Sequence, residues 1–255
     1  SRGLSYGKVS SFRTTYSGEA NNLSAYGTSN CYIVNPAYCK HYINGSVKGC
    51  GYESIGSVAS VEVLWETNGY GMKTDPGTVI FDVTLKDGNI YFYTNGVEGN
   101  ALVASKDAMG TILWSWHIWV VDFDPVATQQ TYNSGAVMMD RNLGATSGTP
   151  GSVGFLGLYY QWGRKDPFLG SCRIDQGVRA ASTGVWEENV IKDDFSGSMK
   201  FAIANPTTFI ASVSGDNGLW YTYATGEKDV FWTKDKNIYE NVAFAQRVIS
   251  EPNRK

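Results

Sequence analysis

The middle of the chain alternates apolar and polar positions in short runs that are typical of β-strands. In two runs, apolar residues occupy every second position and are predicted to share one face of a strand. These runs are VASVEVLWE (58–66), with Val61, Val63 and Trp65, and TVIFDVTL (78–85), with Val79, Phe81, Val83 and Leu85. Further strands are predicted at 30–34, 89–94, 101–106 and 111–121. Between the strands at 78–85 and 89–94, Asp87-Gly88 predicts a tight hairpin turn. Strands at intervals of about ten residues, with turns between them, predict an antiparallel β-sandwich.

The longest predicted strand, TILWSWHIWVV (111–121), is apolar on both faces. Trp114 and Trp116 lie on one face, and His117 and Trp119 lie on the other. The run could be an aromatic platform for a sugar, a metal or catalytic site around His117, or a strand buried on both sides. A platform needs one exposed face, so burial is favoured, against the opposing sheet on one side and a neighbouring domain or loop on the other. His117 should then have a hydrogen-bond partner, and exposure of Trp114 and Trp116 would restore the sugar platform.

The same pattern divides the chain into three parts. Residues 1–28 are polar and rich in Ser, Thr and Gly, and they predict an N-terminal arm or linker. Residues 29–126 hold the predicted strands, and Asp124-Pro125 ends the last one because proline cannot donate to a strand ladder. Residues 127–255 predict an α+β domain with long loops.

Within this second domain the pattern predicts two strands and two helices. The strands are expected at 136–141 and 157–163. A short helix is expected to begin at Asn205, with Asn205 as N-cap and Pro206 at the first helical position. Apolar residues at helical spacing predict an amphipathic helix over 240–250.

A polar run follows the first of these strands. Asp140 and Arg141 are neighbours, and in a strand they would point to opposite faces and would not pair. Asn142 is expected to hold down a loop backbone. This run therefore predicts a structural polar network and not a catalytic pair.

Composition narrows the class of protein. The chain has 29 glycines in 255 residues, 14% aromatic residues and 18% charged residues, against about 25% charged in average soluble domains. This composition is typical of an extracellular β-protein with many turns. A net charge of −3 with scattered cations predicts no nucleic-acid partner, and no apolar run is long enough for a transmembrane segment. The start SRGLSYGK, without an initiator Met, indicates a mature or trimmed chain.

The sequence predicts no enzyme, no metal site and no cofactor. His117 and His41 are the two histidines, and His41 is expected to lie in a polar loop. No GxSxG or comparable signature supplies a nucleophile for either histidine. Asp122 and Asp124 form a weak calcium signal and are expected to be solvated acids at a strand end. Cysteines at 31, 39, 50 and 172 form no CxxC motif. Cys31 is expected to be a small buried residue, and a bridge between Cys39 and Cys50 could close a hairpin.

Aromatic residues are frequent in the second half of the chain. Some must belong to a core, because tryptophan buries a large area. Those in loops are the natural contacts for a sugar or a protein partner. The candidate ligand-binding residues are Tyr160, Trp162, Trp186 and Trp220.

Three segments together resemble a known family: NCYIV (30–34), GNALVASKDAMGTILWSWHIWVVDFDP (99–125) and MMDRNLGATSGTPGSVGFLGLYYQWGRKDPF (138–168). They are similar to fimbrillin-type surface proteins of gut Bacteroidetes. In those proteins an Ig-like β-domain precedes a Fib-succ-major paralogous domain, which resembles C-type-lectin-like folds. The resemblance covers roughly residues 30–210. It implies an exported, cell-surface or pilus-associated protein without known enzymatic activity, and it carries over no defined binding residues.

The chain departs from the family pattern near its end. After WTKDKNIY (232–239) the family typically continues with an Asp-Pro-Cys-Pro type run, whereas ENVAFAQRVISEPNRK follows here. The second domain, residues 127–255, is therefore expected to be shortened at its C-terminal end.

These observations favour a non-enzymatic bacterial surface or pilus-associated protein for adhesion or surface assembly. Its expected partners are other surface or pilus subunits, or a host or glycan ligand. Residues 1–28 could be a strand exchanged between subunits by β-strand addition. The alternatives are a glycan-binding module of a polysaccharide-utilisation system and an assembly or receptor-recognition protein of a bacterial virus.

Overall fold

The protein is mainly β, with several sheets and little helix. The computed structural model describes residues 18–49, 52–68, 73–161, 164–175, 178–181, 188–191 and 198–211. The helix predicted over 240–250 and the cysteine at position 50 lie outside these residues. Within the described part, no helix combines the length and the apolar character needed to cross a bilayer.

Two four-stranded sheets form the first part of the described chain. Their strands are β1 (Asn21–Asn22), β2 (Cys31–Val34), β3 (Cys39–Asn44), β4 (Ser60–Thr67), β5 (Ile80–Lys86), β6 (Asn89–Thr94), β7 (Gly99–Lys106) and β8 (Ile112–Val120). Sheet I has the order β1-β3-β6-β5, and sheet II has the order β2-β8-β7-β4. The inner faces of both sheets share one buried hydrophobic cluster, to which sheet I contributes Phe92 and sheet II contributes Trp116. These two sheets are called the two-sheet body below.

The predicted strands are present, each within a few residues of its expected bounds. The hairpin at Asp87-Gly88 is also confirmed, because both residues have positive φ, 50° and 73°, as a type I′ turn requires. The pattern missed β3. The expectation that His41 lies in a polar loop is wrong, because His41 points inward from β3 and is 3% exposed. A polar residue at an inward position hides the alternation that would otherwise mark this strand.

Two of the pairings within the two-sheet body are parallel, against the expected antiparallel arrangement. These are β1 with β3 and β2 with β8. The short strand β1 belongs to the segment predicted as an arm, yet it pairs with its own chain, and Leu23 after it is buried in the main cluster. Residues 1–17 lie outside the described part, so the prediction of an exchanged strand at these residues stays a prediction.

Bulges change the predicted faces of two strands. In β4 the register shifts between Val63 and Trp65, so Val61 and Val63 contact the inner cluster while Trp65 packs on the outer face of sheet II. In β5 a shift after Phe81 places that ring on the outer face of sheet I. The prediction that all the apolar residues of each run share one face is therefore wrong. One extra residue moves every later side chain to the opposite face.

The bulge in β4 also turns Glu66 inward, where its carboxylate holds a loop. Glu66 is 1% exposed and accepts hydrogen bonds from the backbone N–H groups of Thr78, Val79 and Ile80 at 2.8, 3.1 and 3.1 Å. Burial raises the pKa of Glu66, and the backbone hydrogen bonds oppose this shift. The carboxylate thereby fixes the start of β5 against β4.

Glu66→Gln is expected to lower the free energy of unfolding by about 1–3 kcal/mol, because an amide group replaces one of the oxygens that accept these bonds. The matched control is Glu62→Gln on the same strand, where the carboxylate is half exposed and pairs with Lys106 at the surface. That change should cost at most about 1 kcal/mol. Urea unfolding followed by tryptophan fluorescence measures both, and equal effects would contradict a loop-holding role for Glu66.

The rest of the described chain forms short pairs of strands and one helix. These elements are β9 (Gln130–Thr131), β10 (Val137–Met138), a 3₁₀ turn (Val153–Phe155), β11 (Tyr159–Tyr160), β12 (Pro167–Phe168), β13 (Ser171–Asp175), β14 (Val178–Ala181), β15 (Glu188–Ile191), α1 (Met199–Ala204) and β16 (Thr208–Ala211). The strands predicted at 136–141 and 157–163 thus appear as the two-residue strands β10 and β11. The pairs are β9–β10, β11–β12, β13–β14 and the parallel pair β15–β16.

The helix predicted to begin at Asn205 is placed wrongly. Helix α1 begins after Ser198, whose side chain caps the N–H of Phe201, and it ends at Asn205. The residues that follow form strand β16. Asn205 and Pro206 mark a helix boundary without fixing which side of it is helical. In the structure Asn205 is the C-cap of α1, and the buried Arg164 donates to its carbonyl at 3.0 Å.

Candidate functional site

Strand β8 is buried on both faces, as predicted. Trp114 and Trp116 are 4% and 0% exposed on the inner face, and His117 and Trp119 are each 1% exposed on the outer face. The outer cover comes from residues 139–161 and 164–169, called the covering segment below. Its apolar contacts with sheet II are made by Met139, Leu143, Leu158, Tyr160 and Leu169. The sugar-platform interpretation of 111–121 is therefore wrong.

A hydrogen-bonded series of polar side chains lies under the covering segment. The Asn100 side chain donates through Nδ2 to the carbonyl of Gly144 at 2.9 Å, so its Oδ1 faces His117 Nε2, also at 2.9 Å. His117 Nε2 must then carry the proton, which leaves Nδ1 to accept from the Cys31 thiol at 3.2 Å. The predictions that His117 has a partner and that Cys31 is buried are both confirmed.

Cysteine, histidine and asparagine in series are also the groups of some thiol hydrolases. Here burial raises the pKa of the Cys31 thiol and lowers the pKa of His117 to about 3. Both shifts favour the neutral pair and oppose the thiolate that attacks a substrate. Cys31 and His117 are also only 2% and 1% exposed. The geometry is therefore that of a sealed structural network.

A second polar group joins the covering segment to β8. The Lys165 ammonium donates to the carbonyl of Ser115 at 3.0 Å and to the Asp166 carboxylate at 2.6 Å, and the Ser115 hydroxyl donates to the same carboxylate at 2.6 Å. The side chains of Lys165 and Asp166 are 2% and 4% exposed. Burial lowers the pKa of Lys165, and the Asp166 charge opposes this shift.

The structure describes one of the four candidate ligand-binding residues. Tyr160 lies in β11, partly buried against the cluster that contains Trp65 and Leu102. Burial raises the pKa of Tyr160, with smaller contributions from Cys31 and Asp166. Its side chain thus belongs to the interface between the covering segment and sheet II. Trp162, Trp186 and Trp220 lie outside the described residues.

The polar run at 140–142 differs in part from its prediction. Asp140 and Arg141 form a two-pronged ion pair with distances of 2.8 and 3.1 Å, against the expectation that they point apart. Strand β10 ends at Met138, so strand alternation does not apply to them. Asn142 donates to the carbonyl of Phe155 at 3.0 Å, as expected for a residue that holds a loop.

The outer face of sheet I carries a row of aromatic rings. Tyr42 stacks on Tyr91 with ring centroids 4.9 Å apart, and Phe81 stacks on Tyr93 at 5.4 Å. Tyr38 contacts the Phe81 and Tyr93 rings at 6.0 Å each. These five rings and Lys40, whose Nζ lies 5.2 and 5.4 Å from the ring centroids of Tyr91 and Tyr93, are called the tyrosine face.

The tyrosine face was missed at the level of sequence, although a signal was present. In NIYFYT (89–94) the tyrosines occupy every second position, and their inward neighbours Ile90 and Phe92 are fully buried. The predictions placed ligand contacts in the second half of the chain, where tryptophans are dense. Without β3, the partners Lys40 and Tyr42 could not be placed beside Tyr91 and Tyr93.

A small cleft of about 120 Å³ lies beside β1 and the ends of β2 and β8. It is lined by Asn21, Leu23, Ile33, Val34, Asn35, His41 and residues 121–124. Small-molecule sites usually measure about 300–1,000 Å³, so the cleft is too small for such a ligand. Asp122 accepts from Asn35 at 3.1 Å, and Asp124 accepts from the N–H of Val126. Among the described residues, no group of three or more His, Cys, Asp or Glu side chains could hold a metal ion.

Comparison of the chain with protein-family models, with curated proteins and with solved structures found no match.

Proposed function

We propose that the chain is a non-enzymatic bacterial surface protein that acts in adhesion or surface assembly. In this proposal the two-sheet body is an Ig-like sandwich and the remainder is a lectin-like domain. The observation that carries the proposal is the asymmetry of the two-sheet body. The outer face of sheet II is sealed by the covering segment, whereas the tyrosine face of sheet I keeps Tyr42, Tyr91 and Tyr93 partly exposed.

This asymmetry suits recognition by a rigid body. The covering segment is joined to β8 by the hydrogen bonds of Lys165 and Asp166 with Ser115, and to β7 by the Asn100 hydrogen bond. A surface held in place before contact loses little conformational entropy on binding. Because tyrosine is amphipathic and has only two side-chain torsions, a row of tyrosines adds contact area at low entropic cost.

Two groups of buried polar residues in the described part of the chain could perform chemistry but support a structural role instead. The thiol and imidazole of Cys31 and His117 are sealed in their neutral forms. Lys165 and Asp166 neutralise each other and fix Ser115. These side chains are occupied with holding the covering segment on sheet II, and this supports a non-enzymatic protein.

A bead-retention assay tests the proposal. Microspheres coated with the full chain should be retained under flow on glycan-coated or cell-coated surfaces, or should associate with one another, and should release no product from those surfaces. Microspheres coated with the urea-unfolded chain are the control. Absence of both retention and self-association, or release of sugar or peptide products, would contradict the proposal.

A further inference from the structure

We propose that the tyrosine face binds an acidic polysaccharide and that Lys40 pairs with a carboxylate of the sugar chain. This inference rests on the proposed function, because it names the ligand class for the open face of a surface protein. It concerns the outer face of sheet I, and not the aromatic residues of the second half of the chain.

The rings of the tyrosine face are stacked in pairs. Tyr42 and Tyr91, on adjacent strands, are 4.9 Å apart with an angle of 28° between their planes, and Phe81 and Tyr93 are 5.4 Å apart with an angle of 19°. Such spacings at low angles are those of offset stacking across neighbouring strands. The ring faces that meet within each pair therefore cover one another, and the three tyrosine side chains stay partly exposed.

The hydroxyl groups of these tyrosines have unused hydrogen-bonding capacity. Those of Tyr42, Tyr91 and Tyr93 make no hydrogen bond to any described residue, and all three side chains are partly exposed. By contrast, the hydroxyl of the buried Tyr32 bonds to Ser24 Oγ and accepts from the N–H of Ser29. A phenol both donates and accepts, as sugar hydroxyls do. The face is thus complementary to a hydroxyl-rich polymer.

The charge of Lys40 selects an acidic polymer. Its ammonium lies over two tyrosine rings and forms no ion pair with a carboxylate in the described part of the chain. Four other cations in the described part of the chain do form ion pairs: Lys48 with Glu53, Lys106 with Glu62, Arg141 with Asp140 and Lys165 with Asp166. Lys86, exposed at the end of β5, adds a second positive charge to the same sheet. A sugar carboxylate would form an ion pair with the Lys40 ammonium.

A single-stranded nucleic acid is a less suitable occupant. It would need free ring faces for its bases and several cations for its phosphates. The ring faces are already stacked on one another, and the net charge of the chain is −3. An acidic polysaccharide does not require free ring faces, and its hydroxyl groups can bond to the tyrosine hydroxyl groups.

Isothermal titration of the full chain with polygalacturonate, and with the same polymer after carboxyl reduction, tests the inference. The wild-type chain should bind the acidic polymer more tightly. Lys40→Met keeps the length of the side chain but removes its charge, and it should weaken binding about tenfold or more. Tyr91→Phe with Tyr93→Phe keeps the rings and should weaken binding about three- to tenfold. The controls are Lys106→Met on sheet II and Tyr132→Phe after β9, which are not residues of the tyrosine face and should bind as the wild type does.

All variants must keep the wild-type midpoint of urea unfolding, and these conservative changes are chosen for that reason. The inference is overturned if Lys40→Met and the double tyrosine variant bind like the wild type, or if the wild type prefers the reduced polymer. Displacement of the polymer by oligo(dT) in a Lys40-dependent manner would overturn it in favour of a nucleic-acid partner. If wild-type beads are retained in the flow assay but Lys40→Met has no effect on binding, only this inference fails. If wild-type beads show neither retention nor self-association, the proposed function fails.

Discussion

Replacing Asp166 with alanine is expected to lower the free energy of unfolding by about 3–5 kcal/mol, the cost of removing one partner of a buried ion pair. The Asp166 carboxylate accepts from Lys165 Nζ and from the Ser115 hydroxyl, both at 2.6 Å. Without it, the Lys165 ammonium remains buried without a counter-charge. Burial already lowers the pKa of Lys165, and Asp166 opposes that shift, so its removal favours the neutral amine further.

Urea unfolding of the full chain measures this effect, because the buried tryptophans of β8 report on loss of the core. The double variant Lys165→Met with Asp166→Leu is the control. It removes both charges together, and apolar pairs of similar volume often replace buried ion pairs at little cost. The double variant should therefore be more stable than Asp166→Ala.

If Asp166→Ala lowers the free energy of unfolding by less than about 1 kcal/mol, the effect is only that expected for a surface ion pair. It would mean that water reaches Lys165 and that the covering segment does not stay on sheet II in solution. The asymmetry on which the proposed function rests would then be lost as well.

Acidification from pH 7 to pH 5 is expected to destabilise the protein by about 2 kcal/mol for each buried histidine, as a consequence of proton linkage. Burial lowers the pKa of His117 to about 3 and that of His41 to about 4. The unfolded chain binds these protons near pH 6.5, whereas the folded chain does not. The stabilising contribution is thus fully present above pH 6.5 and is lost as the pH falls towards the folded values.

The contribution of each histidine to the pH dependence can be measured separately by substitution. His117→Gln keeps a donor for Asn100 and an acceptor for the Cys31 thiol, but it does not titrate. It should reduce the dependence of unfolding free energy on pH by about 1.4 kcal/mol per pH unit between pH 6.5 and pH 4. His41→Gln, in β3, should reduce the dependence of the unfolding free energy on pH by a similar amount, independently of His117.

The pH dependence must be compared between variant and wild type, because Glu66 also contributes to it. Burial raises the pKa of Glu66, so its contribution to the free energy of unfolding increases as the pH falls, whereas that of the histidines decreases. Urea unfolding at several pH values provides both slopes. An unchanged slope in His117→Gln would mean that His117 is protonated in the folded protein, and the sealed network would have to be revised.

Strand positions were largely predictable because they depend on local alternation. The strand at 89–94 has the same bounds as predicted, and β8 differs by one residue at each end. The face of each side chain was less predictable. Bulges in β4 and β5 reverse the alternation for Trp65 and Phe81, and the sequence contains no strong marker of either bulge.

The candidate site was harder to predict than the fold. The apolar residues on both faces of β8 predicted that the strand is buried on both sides. They did not predict which residues form the covering segment. The bond from Lys165 to Ser115 spans 50 positions in the chain, and the bond from Asn100 to Gly144 spans 44. Such contacts leave no periodic signal. The tyrosine face likewise depends on β3 lying beside β6, a pairing that the single strands do not reveal.

By itself, the sequence determined which segments extend, where they turn, and that the strand at 111–121 must be covered on both sides. Those properties follow from local backbone preference and from the free energy of removing apolar surface from water. Only the tertiary structure decided which polar groups meet under the cover and which face of sheet I carries exposed tyrosines. These depend on strand order, parallel pairing and bulges, which are set by long-range packing across the shared core.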